Sequence, residues 1–438
     1  MFGDIEKVTW PLERLHTLRD ERLRRLLRIA RERSPWHARR LRDVDVETVS
    51  GDDLRAIPPM TKADLMNHWD EIVTDPQLSL DLATRHLAQV AEHGPAYLLG
   101  TYHVVATGGS SGVFVWDWDG WLQAAAASWR QVFWLMRNRA RPLPGPARVA
   151  SVLAEHAIHM SEAMRCTFEL PGHGSAFPVT MALRDIVAGL NDYQPTNLVG
   201  YPSVLHQLAY EALAGRLRID PVFVMGGSEP FTDEAQDLCR EAFDAVVVDP
   251  YGTSETWVIG MSYPGRRGIH LVEDVAVYEP IDRHGRPVEP GRPAAAMLVT
   301  NVINNALPLI RYELTDEVTF LDEPNPDPWA GRRIATVEGR LDDLFVYAGG
   351  VAVHPYVFWS ALGRDPLITE YQVRQTANGA DVSVRLAGEV SLATARTKIV
   401  AGLERLGLSN PLVSIAAVGA IERLPHSGKL QRFVPLKP

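Results

Sequence analysis

Between residues 147 and 248, short apolar runs alternate with longer amphipathic ones, and this alternation constrains the fold more than any other feature of the chain. Residues 147–153, 197–199, 222–225 and 245–248 read as buried strands, with helical stretches 181–190, 203–214 and 233–243 between them. Such repetition builds a mainly parallel sheet with helices on its faces. Open sheets of this kind gather ligands beyond the carboxyl ends of their strands. At 438 residues the chain can bury a large core and divide into two or more domains.

The last of these strands leads into Asp249-Pro250-Tyr251-Gly252-Thr253-Ser254-Glu255-Thr256. Here an aromatic face can stack on a purine, a glycine allows a turn, and a carboxylate can hold a hard cation that bridges phosphates. A loop of small polar residues with no ligand is the plainer reading of the same positions. Gly226-Gly227-Ser228-Glu229 ends the preceding strand and is expected to face the same crevice. Upstream, Thr107, Gly108, Gly109, Ser110, Ser111 and Gly112 lie between two strand-like runs. Consecutive backbone N–H groups and hydroxyls suit such a loop to phosphate oxygens. No lysine follows the last glycine, so a Walker-type loop is not present. Gly108 to Gly112 also fits G-x-S-x-G, but the nucleophile elbow needs a helix next, and Phe114-Val115-Trp116 reads as strand. A plain hairpin loop fits these residues as well.

Elsewhere the signals are structural. Leucines at helical spacing over 12–33 predict an amphipathic helix whose arginines form a solvated face. Thr61 is placed as a helix N-cap. Residues 120–137 read as a helix rich in Ala and Trp, and 269–319 as shorter antiparallel strands of a barrel-like subdomain. His156 and His159 have no carboxylate or cysteine beside them in sequence and read as wall or structural residues. Gly339-Arg340-Leu341-Asp342-Asp343 marks a boundary, giving a large domain at 1–340 and a small one at 341–438. In the latter, Asn378-Gly379 signals a hairpin, 392–406 a helix and 412–418 a strand. The expected fold class is therefore α/β, with a small mobile α+β unit at the C-terminal side. Lys429 stands in a polar segment that a solvated tail would also explain. A net charge of −10 removes the basic field that nucleic-acid binding needs. Cys166 and Cys239 form no metal-type spacing, and no apolar run reaches the roughly 20 residues of a membrane span. No signal peptide is visible, and a reduced cytoplasmic setting is expected.

Five stretches in fixed order, ATGGSSG, DPYGTSET, IRYELTD, GRLDD and LPHSGKLQR, resemble the adenylate-forming superfamily of acyl- and aryl-CoA synthetases, adenylation domains and luciferases. The length, IPPMTKADL and SPWHARRL are most similar to its phenylacetate–CoA ligase branch. The resemblance runs from about residue 12 to the end. It implies that an acid attacks the α-phosphorus of ATP, giving an acyl-adenylate and pyrophosphate, after which a rotated small domain lets a thiol displace AMP. Mg²⁺ and CoA are the implied companions.

The same resemblance implies the individual roles. Lys429 bridges acid and phosphate; Glu255 holds Mg²⁺; Thr107 to Gly112 clasp phosphates, supported by Asp249, Gly252, Thr253 and Ser254; Tyr251 stacks on adenine, with Gly227, Ser228 and Glu229 along its edge. Asp316 binds the ribose, Arg340 contacts ribose or phosphate, and Asp342 is the hinge. Ala176, Phe177, Tyr201, Pro202 and Gly226 line the acid pocket, and Gly349 and Gly350 the thiol tunnel. Three positions depart from the family's pattern: Val113-Phe114 after the phosphate loop, Leu314 before Thr315-Asp316, and Val353-His354-Pro355 after the glycine pair. Aromatic walls favour a small aryl or arylacetic acid. The acceptor stays open between CoA, a carrier protein and an amine, and unusual oxyanions are not excluded as substrates. A homodimer is also left open. Rival readings are a serine hydrolase built on Ser110 and a nucleotide-binding protein without catalysis.

Overall fold

The computed structural model describes residues 2–106, 112–143, 145–153, 160, 163–164, 166, 174–179, 181, 183–229, 231–262, 265–323, 331–340, 345–353, 356–362, 367–423 and 430–436. Among them runs a ten-stranded sheet that serves as the spine of the molecule. Its parallel half comprises β3 (Val149–Leu153), β4 (Gly174–Pro178), β5 (Asn197–Gly200), β6 (Phe223–Met225) and β7 (Val246–Thr253), in the order β4-β3-β5-β6-β7. The helices Leu183–Tyr193, Pro202–Leu213 and Asp233–Phe243 connect these strands, and the expected alternation is present. Val247 and Val224 enter one core with Leu205, Leu208 and Cys239, while Val246 and Val248 pack on the other face with Val132 and Leu135. Burial on both faces explains why β3, β5, β6 and the start of β7 read as unbroken apolar runs, whereas the part-exposed edge strand β4 has no such run and no counterpart in the expected strands.

The sheet does not stop at β7. The apolar run ends at residue 248, but the strand continues to Thr253 and pairs antiparallel with β8 (Trp257–Ser262). Four further antiparallel strands extend the edge: β9 (Ile269–Leu271), β15 (Arg333–Arg340), β14 (Asp316–Phe320) and β11 (Pro293–Ala294). A separate sheet holds β10 (Ala276–Ile281), β12 (Ala296–Asn301) and β13 (Tyr312–Leu314). The antiparallel strands expected over 269–319 are thus divided between two sheets, and part of them prolongs the parallel one. An apolar face on both sides of β8 and β9 makes this continuation favourable.

The helix Leu12–Arg33 has the predicted bounds, but its arginines are not all solvated. Arg19 is buried, donating to Asp20 and Asp52, and Arg22 reaches Asp274. Sequence spacing cannot reveal acidic partners 33 and 252 positions away. Thr61 caps the helix Lys62–Asn67 in a reciprocal box with Asp64, as its side chain and position dictate.

A second core is formed by residues from 345 onward, including Phe345, Phe358, Val373, Val382, Ile399 and Val413. Around it lie β18 (Ile368–Thr376), β19 (Gly379–Leu386), β20 (Leu412–Ala417), β21 (Phe433–Val434) and the helix Leu392–Arg405. The Asn378-Gly379 turn joins β18 to β19 as expected. No helix among the described residues is long and apolar enough to cross a membrane.

Candidate active site

The motif residues after β6 and β7 gather where the sheet changes from parallel to antiparallel. β7 is irregular between Tyr251 and Gly252, and only glycine fits there, because a Cβ would lie 2.0 Å from the Trp257 carbonyl oxygen. This bulge re-aims the following side chains. Trp257 takes a positive φ of 65° and is pinned edge-on by Trp121 at 4.0 Å. The Thr253 and Thr256 hydroxyls lie 3.1 Å apart, closing the turn that presents Ser254 and Glu255.

Two other segments converge on that turn. β1 (Tyr102–Ala106) and β2 (Val113–Asp117) form an antiparallel pair with Ala106 opposite Val113, so a strand follows the glycine-rich loop. That geometry removes the strand-to-helix elbow on which the hydrolase reading depends. Trp116 of β2 donates to the Ser254 carbonyl at 3.3 Å, fixing the base of the loop beside the turn. Gly112 at its end is buried. Across the crevice, the Tyr251 hydroxyl donates to the Asp316 carboxylate at 2.8 Å, and Asp316 stands opposite Arg340 in the β14–β15 register. Tyr251, Asp316 and the Arg340 backbone, far apart in the chain, therefore meet. Thr107 to Ser111, Asp342, Lys429, His156 and His159 lie outside the described residues, as does the side chain of Arg340.

Asp249 differs from its neighbours. Its carboxyl makes no hydrogen bond among the described residues, and burial pushes it up to about 8. Ser262, its cross-strand partner, has a buried hydroxyl that is likewise unpartnered among them. Buried polar groups ordinarily find partners.

The Gly226–Glu229 loop sits one strand away. A Cβ on Gly226 would meet Phe231 at 2.3 Å, and Gly227 and Ser228 have φ of 150° and 66°. This left-handed pair swings Glu229 toward the helix Pro202–Leu213. Its Oε2 accepts from Ser203 N at 3.0 Å and its Oε1 from Leu430 N at 2.9 Å. The family resemblance places Glu229 along an adenine edge; both of its oxygens are instead engaged by the helix and by the small unit. Tyr201 supplies no side-chain cap to that helix, so Glu229 caps it from outside, where a negative charge is favoured.

The expected acid pocket is only partly assembled. Gly226, Tyr201 and Pro202 are buried together, Tyr201 as part of the core. Ala176 is exposed on edge strand β4, three strand spacings or roughly 14 Å from β6. Phe177 packs against Gly189, where an added Cβ would be 2.3 Å from its ring, and so serves the edge of the sheet. Gly349 has a φ of 81°, and a Cβ there would meet nothing within 4 Å, so the backbone conformation itself calls for glycine. Among the described residues, no group of three His, Cys, Asp or Glu side chains could hold a metal ion by itself. A single carboxylate such as Glu255 beside a polyphosphate suits Mg²⁺, which is ordinarily held by one or two carboxylates plus phosphate oxygens.

Comparison with known proteins decides the family. The chain is 27% identical over 408 residues to a phenylacetate–coenzyme A ligase of Thermus thermophilus, covering 88% of this chain and 84% of that one. A phenylacetate–coenzyme A ligase of Aromatoleum evansii is 25% identical over 363 residues, 79% and 75% of the two chains. The protein belongs to the adenylate-forming ligase superfamily. Within it, the structure superposes on 2-hydroxyisobutyryl-CoA ligase in its postadenylation state with a TM-score of 0.71 and 19% identity, over 99% of this chain and 91% of that one. That likeness extends the shared fold through the small unit. No family model matches the chain. It is an AMP-forming acid–CoA ligase family enzyme.

Proposed function

We propose that the protein activates a small aryl or arylacetic acid as its acyl-adenylate and transfers the acyl group to the thiol of CoA. In the first step a carboxylate oxygen of the acid attacks the α-phosphorus, the bond to the β-phosphate's bridging oxygen breaks, and pyrophosphate leaves. In the second, a thiolate attacks the acyl carbon and the C–O bond to AMP breaks. Little covalent work falls to the protein, so positioning and charge stabilisation dominate.

The meeting of Tyr251 with Asp316 beside the Thr253–Glu255 turn is the observation that carries this reading. Tyr251 offers its ring to the base, and its hydroxyl holds Asp316 oriented toward the ribose hydroxyls. Thr107 to Gly112 take the terminal phosphates. Mg²⁺ at Glu255 would neutralise phosphate charge when bound. Lys429, next in the chain to Leu430, which is held at Glu229, is assigned to the charge that develops on the α-phosphate. Residues 1–340 are the catalytic lobe and 341–438 the mobile one, pivoting at Asp342. Gly349 and Gly350 are assigned to the thiol's path. Transfer to a carrier protein or an amine is the second reading, favoured by the departure at Val353-His354-Pro355 from the family's pattern.

Lys429→Ala tests the assignment through pyrophosphate exchange into ATP with phenylacetate as the probe acid. We expect a loss on the order of a hundredfold or more with nucleotide affinity nearly unchanged. Exchange at the wild-type rate would remove Lys429 from the reaction.

A further inference from the structure

We propose that Trp116 and Asn301 are positioning residues that fix the backbone on both sides of Glu255 and so aim its carboxylate at the cation. The inference deepens the function proposed above and rests on its assignment of Glu255.

A peptide unit is planar, so holding its carbonyl oxygen holds the whole plane. The two planes that meet at the Cα of Glu255 carry the Ser254 and Glu255 oxygens. Each oxygen is held by a buried side chain from elsewhere in the fold. Trp116 Nε1 donates to the Ser254 oxygen at 3.3 Å, and Asn301 Nδ2 donates to the Glu255 oxygen at 3.0 Å. With both planes set, the direction in which the Glu255 side chain leaves the backbone is set as well. Trp116 is fully buried and Asn301 is 2% exposed, which strengthens both bonds by keeping water from them.

The donors are themselves held. Asn301 ends β12, and its Oδ1 accepts from Ile303 N at 3.1 Å and Asn304 N at 3.3 Å, which turns the amide so that Nδ2 faces the turn. Asn304 donates to the Val115 oxygen at 2.9 Å, one residue before Trp116. The Trp116 ring packs edge-on against Trp121 and Trp257, with centroids 6.2 Å and 6.3 Å away. Just past the turn, the φ of 65° at Trp257 is a left-handed conformation in a bulky residue. Such strain persists only where the surroundings over-determine it, and it collects at functional sites. A core position would be filled as well by leucine, and burying an amide is costly unless its hydrogen bonds are used. The Asn301 donor is used on the turn that carries Glu255. Aim matters here because a cation held by one carboxylate and phosphate oxygens has no second protein ligand to compensate for a misdirected one.

The test uses the full-length protein. Trp116→Phe keeps a ring in the core but has no donor for Ser254. Asn301→Asp keeps an oxygen for Ile303 N and Asn304 N but has no donor for Glu255. Trp69→Phe is the control: it removes a buried indole bond of the same kind, to the Val113 oxygen at 3.0 Å, in the same hairpin but away from the turn. Binding of Mn²⁺ in the presence of a non-hydrolysable ATP analogue, read by electron paramagnetic resonance, should weaken by about tenfold or more in the first two variants and hold in the control. The Mg²⁺ concentration for half-maximal pyrophosphate exchange with phenylacetate should rise by a like factor, and saturating Mg²⁺ should restore most of the rate. Amide protection over 253–258 in the metal-free protein should fall in Trp116→Phe and Asn301→Asp and hold in Trp69→Phe. Should Asn301→Asp fail to fold, Trp116→Phe decides the question alone. Wild-type Mn²⁺ affinity in the variants, or an equal loss in the control, would overturn the positioning role. If wild type bound Mn²⁺ no better than Glu255→Gln, the assignment of the cation to Glu255 would fall instead, and amide protection would still decide whether the two donors fix the turn.

Discussion

Two clusters of arginines and carboxylates in this molecule use the same chemistry toward opposite ends. Inside the large lobe, Asp274 and Glu273 are each 1% exposed. Asp274 receives Arg130 through both terminal nitrogens and Arg22 at 3.2 Å; Glu273 receives Arg332 at 2.8 Å and 3.1 Å, with His16 at 3.4 Å. Every one of these donors comes from the lobe's own elements, and the cluster ties the helices Leu12–Arg33 and Trp118–Asn138 to the antiparallel strands. At the boundary where the small unit meets the large lobe, Glu229 and Glu370 are almost as deeply placed, yet Arg423 and Arg385, which serve them, keep contact with water. The Arg130–Asp274 pair is sealed on both sides, whereas the boundary pairs can exchange their partners for solvent. Hydration of the cation separates Arg130, at 5% exposure, from Arg423 and Arg385, at 19% and 29%, but not Arg332, which is 37% exposed while it holds Glu273.

The largest effect that would sharpen this contrast comes from Arg130→Met. Removing Arg130 leaves the buried Asp274 carboxylate with Arg22 at 3.2 Å as its remaining guanidinium, so the large lobe should lose about 3 kcal/mol, read as a lower urea midpoint. Arg423→Met should cost less in the same assay, because Glu370 keeps Arg385 at 2.8 Å and Glu229 keeps the backbone donors of Ser203 and Leu430. If the two losses were alike, the distinction between the clusters would be void.

A smaller effect lies in acid. Burial alone would raise Asp274, but the Arg130 charge and hydrogen bonds, with Arg22 and Lys7, outweigh it and bring the carboxyl down to about 2. Glu273 is likewise held below the usual carboxylate range, the Arg332 charge overcoming its burial. A folded value below the unfolded one means that the unfolded chain binds more protons in acid. The stabilisation is therefore complete above about pH 4 and is lost as the pH falls through the folded values. Urea titrations between about pH 5 and 2 should show a steep decline that Asp274→Asn makes shallower.

Local chemistry is legible in the sequence where neighbours in the chain set the structure. The helix Leu12–Arg33 follows from its leucines, the Thr61 cap from Thr and Asp three apart, and the β18–β19 hairpin from Asn378-Gly379. The central parallel strands declare themselves because burial on both faces leaves an uninterrupted apolar run; the edge strand β4, part-exposed along its length, does not. β7 reads as ending at residue 248 because Pro250 and Gly252 usually end a strand; pairing with β8, with a bulge at the glycine, carries it on. The site motifs name Tyr251, Asp316 and Glu229, but only the fold shows that Tyr251 and Asp316 touch and that Glu229 turns to the helix and the small lobe. Arg423, Glu370 and Arg385 carry no sequence signal at all. They lie on separate elements, and an arginine beside a polar tail reads as a solvated one. The same is true of Arg19 and Arg130, whose partners Asp52 and Asp274 are brought close only by tertiary packing.

The central claim is that this crevice joins an acid to AMP. Mass spectrometry of the products formed from ATP, Mg²⁺, a mixture of aryl, arylacetic and aliphatic acids, and CoA tests it most directly. The account predicts AMP and pyrophosphate in equal amounts, together with the adenylate or the CoA thioester of a small aromatic acid. ATP left intact with every acid, or cleaved only to ADP and phosphate, would contradict it.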